Sequence, residues 1–183
     1  MEAIINSFLL VAATEMGDKT QLLALVLATR FKKPWTIMAG ILTATVANHL
    51  FAAWAGERVA EFVSPGVLKW ILALTFFAFA VWILIPDKDD SDESKMRSSP
   101  FWTTVILFFV AEVGDKTQLS TVALAAKYQN IWLVTLGTTI GMLFSDGLAV
   151  FFGEKLTKRI SMKWVHIASA VLYIGFGIGI LLS

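Results

Sequence analysis

Residues 15–22 read EMGDKTQL, and residues 112–119 read EVGDKTQL. The two octapeptides agree at seven of eight positions and lie 97 residues apart. The same offset aligns Gly40 with Gly137, and Gly56-Glu57 with Gly153-Glu154. Each octapeptide sits in a long apolar stretch, and two further apolar stretches follow it. The chain therefore predicts a duplicated three-helix unit. Residues 1–86 form the first copy, 87–99 a polar linker and 100–183 the second copy. Three is an odd number of crossings, so the second copy starts on the opposite side from the first. The two halves are then expected to be related by a pseudo-two-fold axis, with polar sites at the repeat interface.

Composition supplies the solvent. The 183 residues are 57% hydrophobic and 16% charged, with a mean hydropathy of +0.72, which suits a bilayer better than water. A spanning helix takes about 20 mostly apolar residues. Six stretches qualify: Ile4–Thr29, Pro34–Gly56, Val67–Ile85, Pro100–Ala126, Ile131–Gly153 and Trp164–Leu182. A water-soluble bundle needs a polar face on each helix, and the third and sixth stretches have none. Trp35, Trp70, Trp102, Trp132 and Trp164 stand at the starts of stretches, as an interfacial aromatic belt requires. The predicted fold class is an all-α integral membrane protein of six transmembrane helices, arranged as two inverted three-helix repeats.

Several functions are excluded at this level. The formal net charge of +1 gives no basic excess for nucleic acid, and the absence of cysteine removes disulfides, thiolate metal sites and cysteine nucleophiles. Met1–Leu10 carries Glu2 and no Lys or Arg, so no secretory leader is expected and Ile4 onward reads as mature protein. The run PDKDDSDESKMRSS at 86–99 reads as a solvated loop rather than a metal site. Loops one, three and five hold Arg30, Lys32, Lys33, Lys88, Lys95, Arg97, Lys155, Lys158, Arg159 and Lys163, against Arg58, Lys69 and Lys127 on the other side. The positive-inside rule then puts both termini outside.

Within hydrocarbon the octapeptides are costly. Glu15, Asp18, Glu112 and Asp115 fall inside the first and fourth stretches with Lys19 and Lys116. One intramembrane charge costs about 2.5–3.5 kcal/mol on insertion scales, so these groups must face the interior and one another. Glu and Asp three residues apart share a helix face. Thr20 and Thr117 add hydroxyls, and Gln21 and Gln118 add amide oxygens. Gly17 and Gly114 allow either close helix approach or a local break that frees backbone carbonyls. Together the octapeptides make an oxygen cage suited to a hard divalent cation: calcium, magnesium or manganese. Four carboxylates and two ammonium groups sum to −2, which one such ion neutralises. Lys19 and Lys116 either pair with the acids of an empty site or snorkel to helix-end carbonyls.

The second stretches add Asn48-His49 opposite Ser145-Asp146 at the same offset. Asp146 is a functional candidate because it is intramembrane and ionisable. His49 reads as a nitrogen ligand favouring manganese, a proton site or a packing residue. His166 reads as interfacial, and Glu57 and Glu154 as mouth or capping groups.

The twin Glu-x-Gly-Asp-Lys-Thr motifs resemble those of a membrane-protein family grouped with calcium/manganese:cation antiporters, whose bacterial members include a manganese exporter. The resemblance covers essentially the whole chain. It implies six spans in two inverted halves, and manganese or calcium exchanged for a counter-ion. It carries ion binding onto Glu15, Asp18, Glu112 and Asp115, with Thr20, Gln21, Thr117 and Gln118 as ligands or supports and Asn48, His49 and Asp146 around them. The short central loop resembles bacterial rather than organellar members, implying a bacterial plasma membrane.

The expected activity is therefore transport and not enzymatic catalysis: metal export by alternating access, against protons first and sodium second. The expected partners are membrane lipid, the divalent ion and its counter-ion. No cofactor is expected beyond the transported ion, and both halves in one chain make a homodimer unnecessary. Two other readings stand beside this one. An intramembrane aspartyl protease also uses paired aspartates, but its Gly-x-Gly-Asp element is missing from both octapeptides. A small amino-acid exporter predicts groups for a zwitterion instead of an acidic cage.

Overall fold

The computed structural model describes residues 1–85, 99–153 and 162–182, and every regular element among them is helical. The eight helices are α1 (Glu2–Thr14), α2 (Lys19–Phe31), α3 (Pro34–Phe62), α4 (Pro65–Trp82), α5 (Pro100–Glu112), α6 (Lys116–Tyr128), α7 (Ile131–Phe152) and α8 (Met162–Leu182). Helices α3, α4, α7 and α8 are long and apolar enough to cross a membrane, and α1 and α5 are shorter apolar helices. The expected linker acids, Glu154, and the orientation residues Lys88, Lys95, Arg97, Lys155, Lys158 and Arg159 lie outside the described residues.

The first and fourth stretches, read from sequence as single spans, are each two helices of 13 residues. The cause is local and occurs twice. Gly17 (φ 86°) and Gly114 (φ 79°) adopt the left-handed conformation, where a side chain is strained. Asp18 and Asp115 follow in extended backbone, with ψ 169° and 165°. A 13-residue helix is about 20 Å long, so neither half alone covers a hydrocarbon core of about 30 Å.

Each break is stitched by its own residues. Asp18 N–H donates to Glu15 C=O at 3.2 Å, and Asp115 N–H donates to Glu112 C=O at 3.1 Å. Gln21 Oε1 accepts from Gly17 N–H at 2.8 Å, and Gln118 Oε1 from Gly114 N–H at 2.7 Å. The glutamine reaches back as in a capping box, satisfying a donor that the helix cannot. Helices α2 and α6 then end alike, on left-handed Lys32 and Gln129. Pro34 starts α3, and Asn130 starts α7 by accepting from Leu133 N–H at 2.9 Å.

The packing interlaces the halves. Helix α1 lies on α7 and α5 on α3, while α6 packs on α3 and α2 on α7. Glycines make the close crossings. A Cβ on Gly137 would lie 2.8 Å from Ser7 Cβ, and one on Gly40 would lie 2.7 Å from Thr104 Cβ. These two contacts correspond at the offset of 97. Helices α4 and α8 meet through Phe76, Phe79, Tyr173 and Phe176, and here too the contacts correspond. The Phe76–Phe176 and Phe79–Tyr173 ring centroids are both 5.6 Å apart.

The exterior is apolar. Trp35, Trp70, Trp102, Trp132 and Trp164 are exposed, as are Phe51, Leu74, Val81 and Val171, while Glu15, Glu112, His49 and Asp146 are fully buried. In water this arrangement would cost free energy at both surfaces, whereas in hydrocarbon only the buried charges need an explanation.

Candidate cation site

Four helix ends converge at the breaks. Helices α1 and α5 end there, bringing the negative ends of their dipoles and carbonyls freed from the helical ladder. Glu15 directly follows α1, and Glu112 is the last residue of α5. Helices α2 and α6 begin there, with Asp18 and Asp115 at their N-cap positions. Helix N-termini stabilise those carboxylates. Neither aspartate side chain caps its own helix, so both are left to face other groups.

Glu15, Glu112 and Asp115 each present one carboxylate oxygen, and the three lie within 4.8 Å of one another, all buried. The aspartates are crossed between the halves by lysines. Lys19 Nζ is 2.9 Å from Asp115 Oδ1, and Lys116 Nζ is 3.4 Å from Asp18 Oδ1. Of the two sequence readings of these lysines, the structure takes the pairing one. The crossings are unequal: the Lys19 side chain is 30% exposed and that of Lys116 only 5%.

The glutamates are unequal too. Glu15 accepts from Thr20 Oγ1 at 2.7 Å and also from Thr117 Oγ1. Both threonines therefore serve one carboxylate. Both oxygens of Glu112 are buried and have no hydrogen-bond partner, and the same is true of Asp115 Oδ2. Buried carboxylate oxygens without donors are rare and costly, and a cation is the partner that suits them.

Asp146 is fully buried, with both oxygens unpartnered, and interacts electrostatically with Glu15 and Glu112. His49, at the corresponding position, is fully buried with both ring nitrogens unpartnered. Neither belongs to the tight group of three, nor does Asp18. Asn48 Nδ2 donates to Phe109 C=O at 3.2 Å, and Ser145 receives the Gln21 amide, on its C=O at 2.9 Å and its Oγ at 3.2 Å. The amide oxygens of Gln21 and Gln118, expected as ligands or supports, are already engaged by backbone N–H groups.

Sequence reasoning passed over Ser120, Ser169 and Tyr173. Tyr173 is fully buried, and its Oη lies 2.7 Å from Ser120 Oγ. Ser169 Oγ donates to Ala13 C=O at 2.9 Å. The repeat offset held the signal, since these residues correspond to Leu23, Leu72 and Phe76 of the first half.

An apolar exterior, paired broken helices and an interior cluster of carboxylates at the breaks define a membrane transporter of cations. The chain belongs to the family described as the divalent cation/proton antiporter GDT1, whose family model matches residues 3–91 and 100–183. It is 44% identical over 176 residues to a Vibrio cholerae protein named "Putative manganese exporter", covering 95% of this chain and 88% of the relative. It is 28% identical over 200 residues to a GDT1-like protein of Synechocystis, covering 97% and 96% of the two chains. It is 26% identical over 205 residues to GDT1-like protein 3 of Arabidopsis thaliana, covering 97% of this chain and 69% of the relative. No solved structure matches the chain. The protein is therefore a multi-pass membrane antiporter of divalent cations and protons, and the enzyme and amino-acid-exporter readings fall away.

Proposed function

We propose that the protein exports manganese in exchange for protons through one site built from both octapeptides. The observation that carries this is the approach of Glu15, Glu112 and Asp115 within 4.8 Å, with both Glu112 oxygens unpartnered. Glu15, Glu112 and Asp115 hold the ion. Asp18 and Asp146 complete the negative shell, and Thr20 and Thr117 orient Glu15. Gln21 and Gln118 hold the breaks open as supports, and Asn48 and His49 line the surroundings. The name of the Vibrio relative supports manganese as the cargo, and calcium is the second substrate to test. Sodium is the second counter-ion to test.

The architecture in this reading is six spans, with α1–α2 and α5–α6 each counting as one broken span. Residues 1–86 and 100–183 form inverted halves. The protein sits in a bacterial plasma membrane with both termini outside, and one chain suffices for transport. A negative-inside potential opposes cation export by about 2.3 kcal/mol per charge per 100 mV, so export needs a coupled ion. Protons bind the same carboxylates as the metal, so loading one unloads the other. Rocking one half against the other then offers the carboxylates to each side in turn.

The test is flux in proteoliposomes under an imposed pH gradient, with manganese and calcium offered separately. Proton-driven manganese flux that Glu112→Gln abolishes, in a protein that still inserts, is the expected result. Full transport by Glu112→Gln would remove the site.

A further inference from the structure

We infer that Tyr173 and Ser169 of α8 are positioning residues for the cation site, tying the last turn of α1 to the first turn of α6. The inference rests on the site proposed above. Ser169 Oγ shares its proton between Ala13 C=O at 2.9 Å, two residues before Glu15, and Val165 C=O of its own helix at 3.0 Å. Tyr173, one turn further along α8, places its Oη 2.7 Å from Ser120 Oγ on α6. Ser120 Oγ donates in turn to Lys116 C=O at 2.7 Å. The backbone carbonyls reached this way, of Ala13 and Lys116, lie within two residues of the pair that meets at the site, Glu15 and Thr117. One face of α8 therefore sets the distance between a carboxylate of the first half and a hydroxyl of the second.

Packing alone does not ask for these hydroxyls. At the offset of 97, Leu72 and Phe76 of α4 take the places of Ser169 and Tyr173, and Leu23 takes that of Ser120. Phe76 is fully buried against the same aromatic cluster without an oxygen. A buried hydroxyl needs a partner, and an apolar residue of the same shape would avoid that need. The strut stands on one side only. It holds the α1–α6 contact, while the equivalent contact between α5 and α2 has no polar tie from α4 among the described residues. This matches the inequality of the glutamates: Glu15 receives both threonines, and Glu112 neither.

The experiment measures manganese flux in proteoliposomes for Tyr173→Phe, Ser120→Ala, their double variant, Ser169→Ala and Glu15→Gln. Loss of one net hydrogen bond corresponds to a change of about two- to tenfold. Tyr173→Phe is expected to raise the KM for manganese by that factor while the maximal rate stays near wild type. The double variant is expected to be no worse than the more affected single variant, because each single variant already removes the shared Tyr173–Ser120 bond. Ser169→Ala leaves the aromatic cluster untouched and is expected to raise KM likewise, so the inference does not hang on the folding of Tyr173→Phe. Wild-type KM in both Tyr173→Phe and Ser169→Ala, additive effects in the double variant, or a lower maximal rate at unchanged KM would each overturn the strut. Any of these beside an inactive Glu15→Gln removes only the strut, whereas an active Glu15→Gln removes the site itself.

Discussion

At the scale of single residues, the chemistry is a competition for carboxylate oxygens. Lys19 and Lys116 occupy one oxygen each of Asp115 and Asp18, the positions a divalent ion would contest. Lys19 is the more accessible of the two, so Lys19→Met is the cleaner probe. It removes an internal competitor and leaves the cluster one charge more negative. The expected outcome is a severalfold lower KM for manganese with slower turnover, read from flux as a function of metal concentration; an unchanged KM would mean that the lysine does not contest the site. Protons are the other competitor. The metal binds deprotonated carboxylates, so its binding releases protons and its affinity falls as pH falls. Manganese is therefore expected to raise the Tm of detergent-solubilised protein, and the rise is expected to shrink on acidification. Glu112→Gln is expected to abolish that pH-sensitive rise.

At the scale of elements, the broken helix is the device that brings charge to the middle of the protein. Gly114 isolates its backbone requirement, because a Cβ there would meet nothing within 4 Å while φ is +79°. Gly114→Ala should then cost the left-handed penalty alone, about 1–2 kcal/mol. Gly114→Asn should cost less, since Asn tolerates that conformation. Thermal unfolding of the two variants checks the order, and equal stability for both would mean that the break is not held as described. Only part of this element was legible in sequence. The octapeptides, their apolar setting and the need for their acids to face inward all follow from residue types and spacing. Glycine's permissiveness left two outcomes open, close approach or a break. The deciding feature was Gln21 and Gln118 reaching back to the Gly17 and Gly114 amides, a contact that the linear pattern does not display.

At the scale of the whole molecule, the halves match in plan and differ in detail. A Cβ on Gly56 would lie 2.1 Å from Val122 C=O, so α3 and α6 are clamped backbone to side-chain-free backbone. At the corresponding Gly153, the residue that caps α7, a Cβ would have Leu25 Cδ1 at 4.0 Å as its nearest neighbour among the described residues. Gly56→Ala is therefore expected to force α3 and α6 apart, lowering Tm and slowing transport together, and wild-type values for both would contradict the clamp.

The sequence by itself determined the membrane setting, the duplication, the acids that pair across it and the class of ion they suit. Hydrophobicity, repetition and charge are properties of residue types, and they survive without coordinates. Only the tertiary structure decided which carboxylates meet, that both threonines serve Glu15, that each lysine crosses to the other half, and that Ser169 and Tyr173 of α8 bring hydroxyls to α1 and α6. The lysine crossings and the Thr117–Glu15 contact join segments about 100 residues apart. An internal repeat predicts such distances equally for both halves, whereas packing in one closed structure makes them unequal.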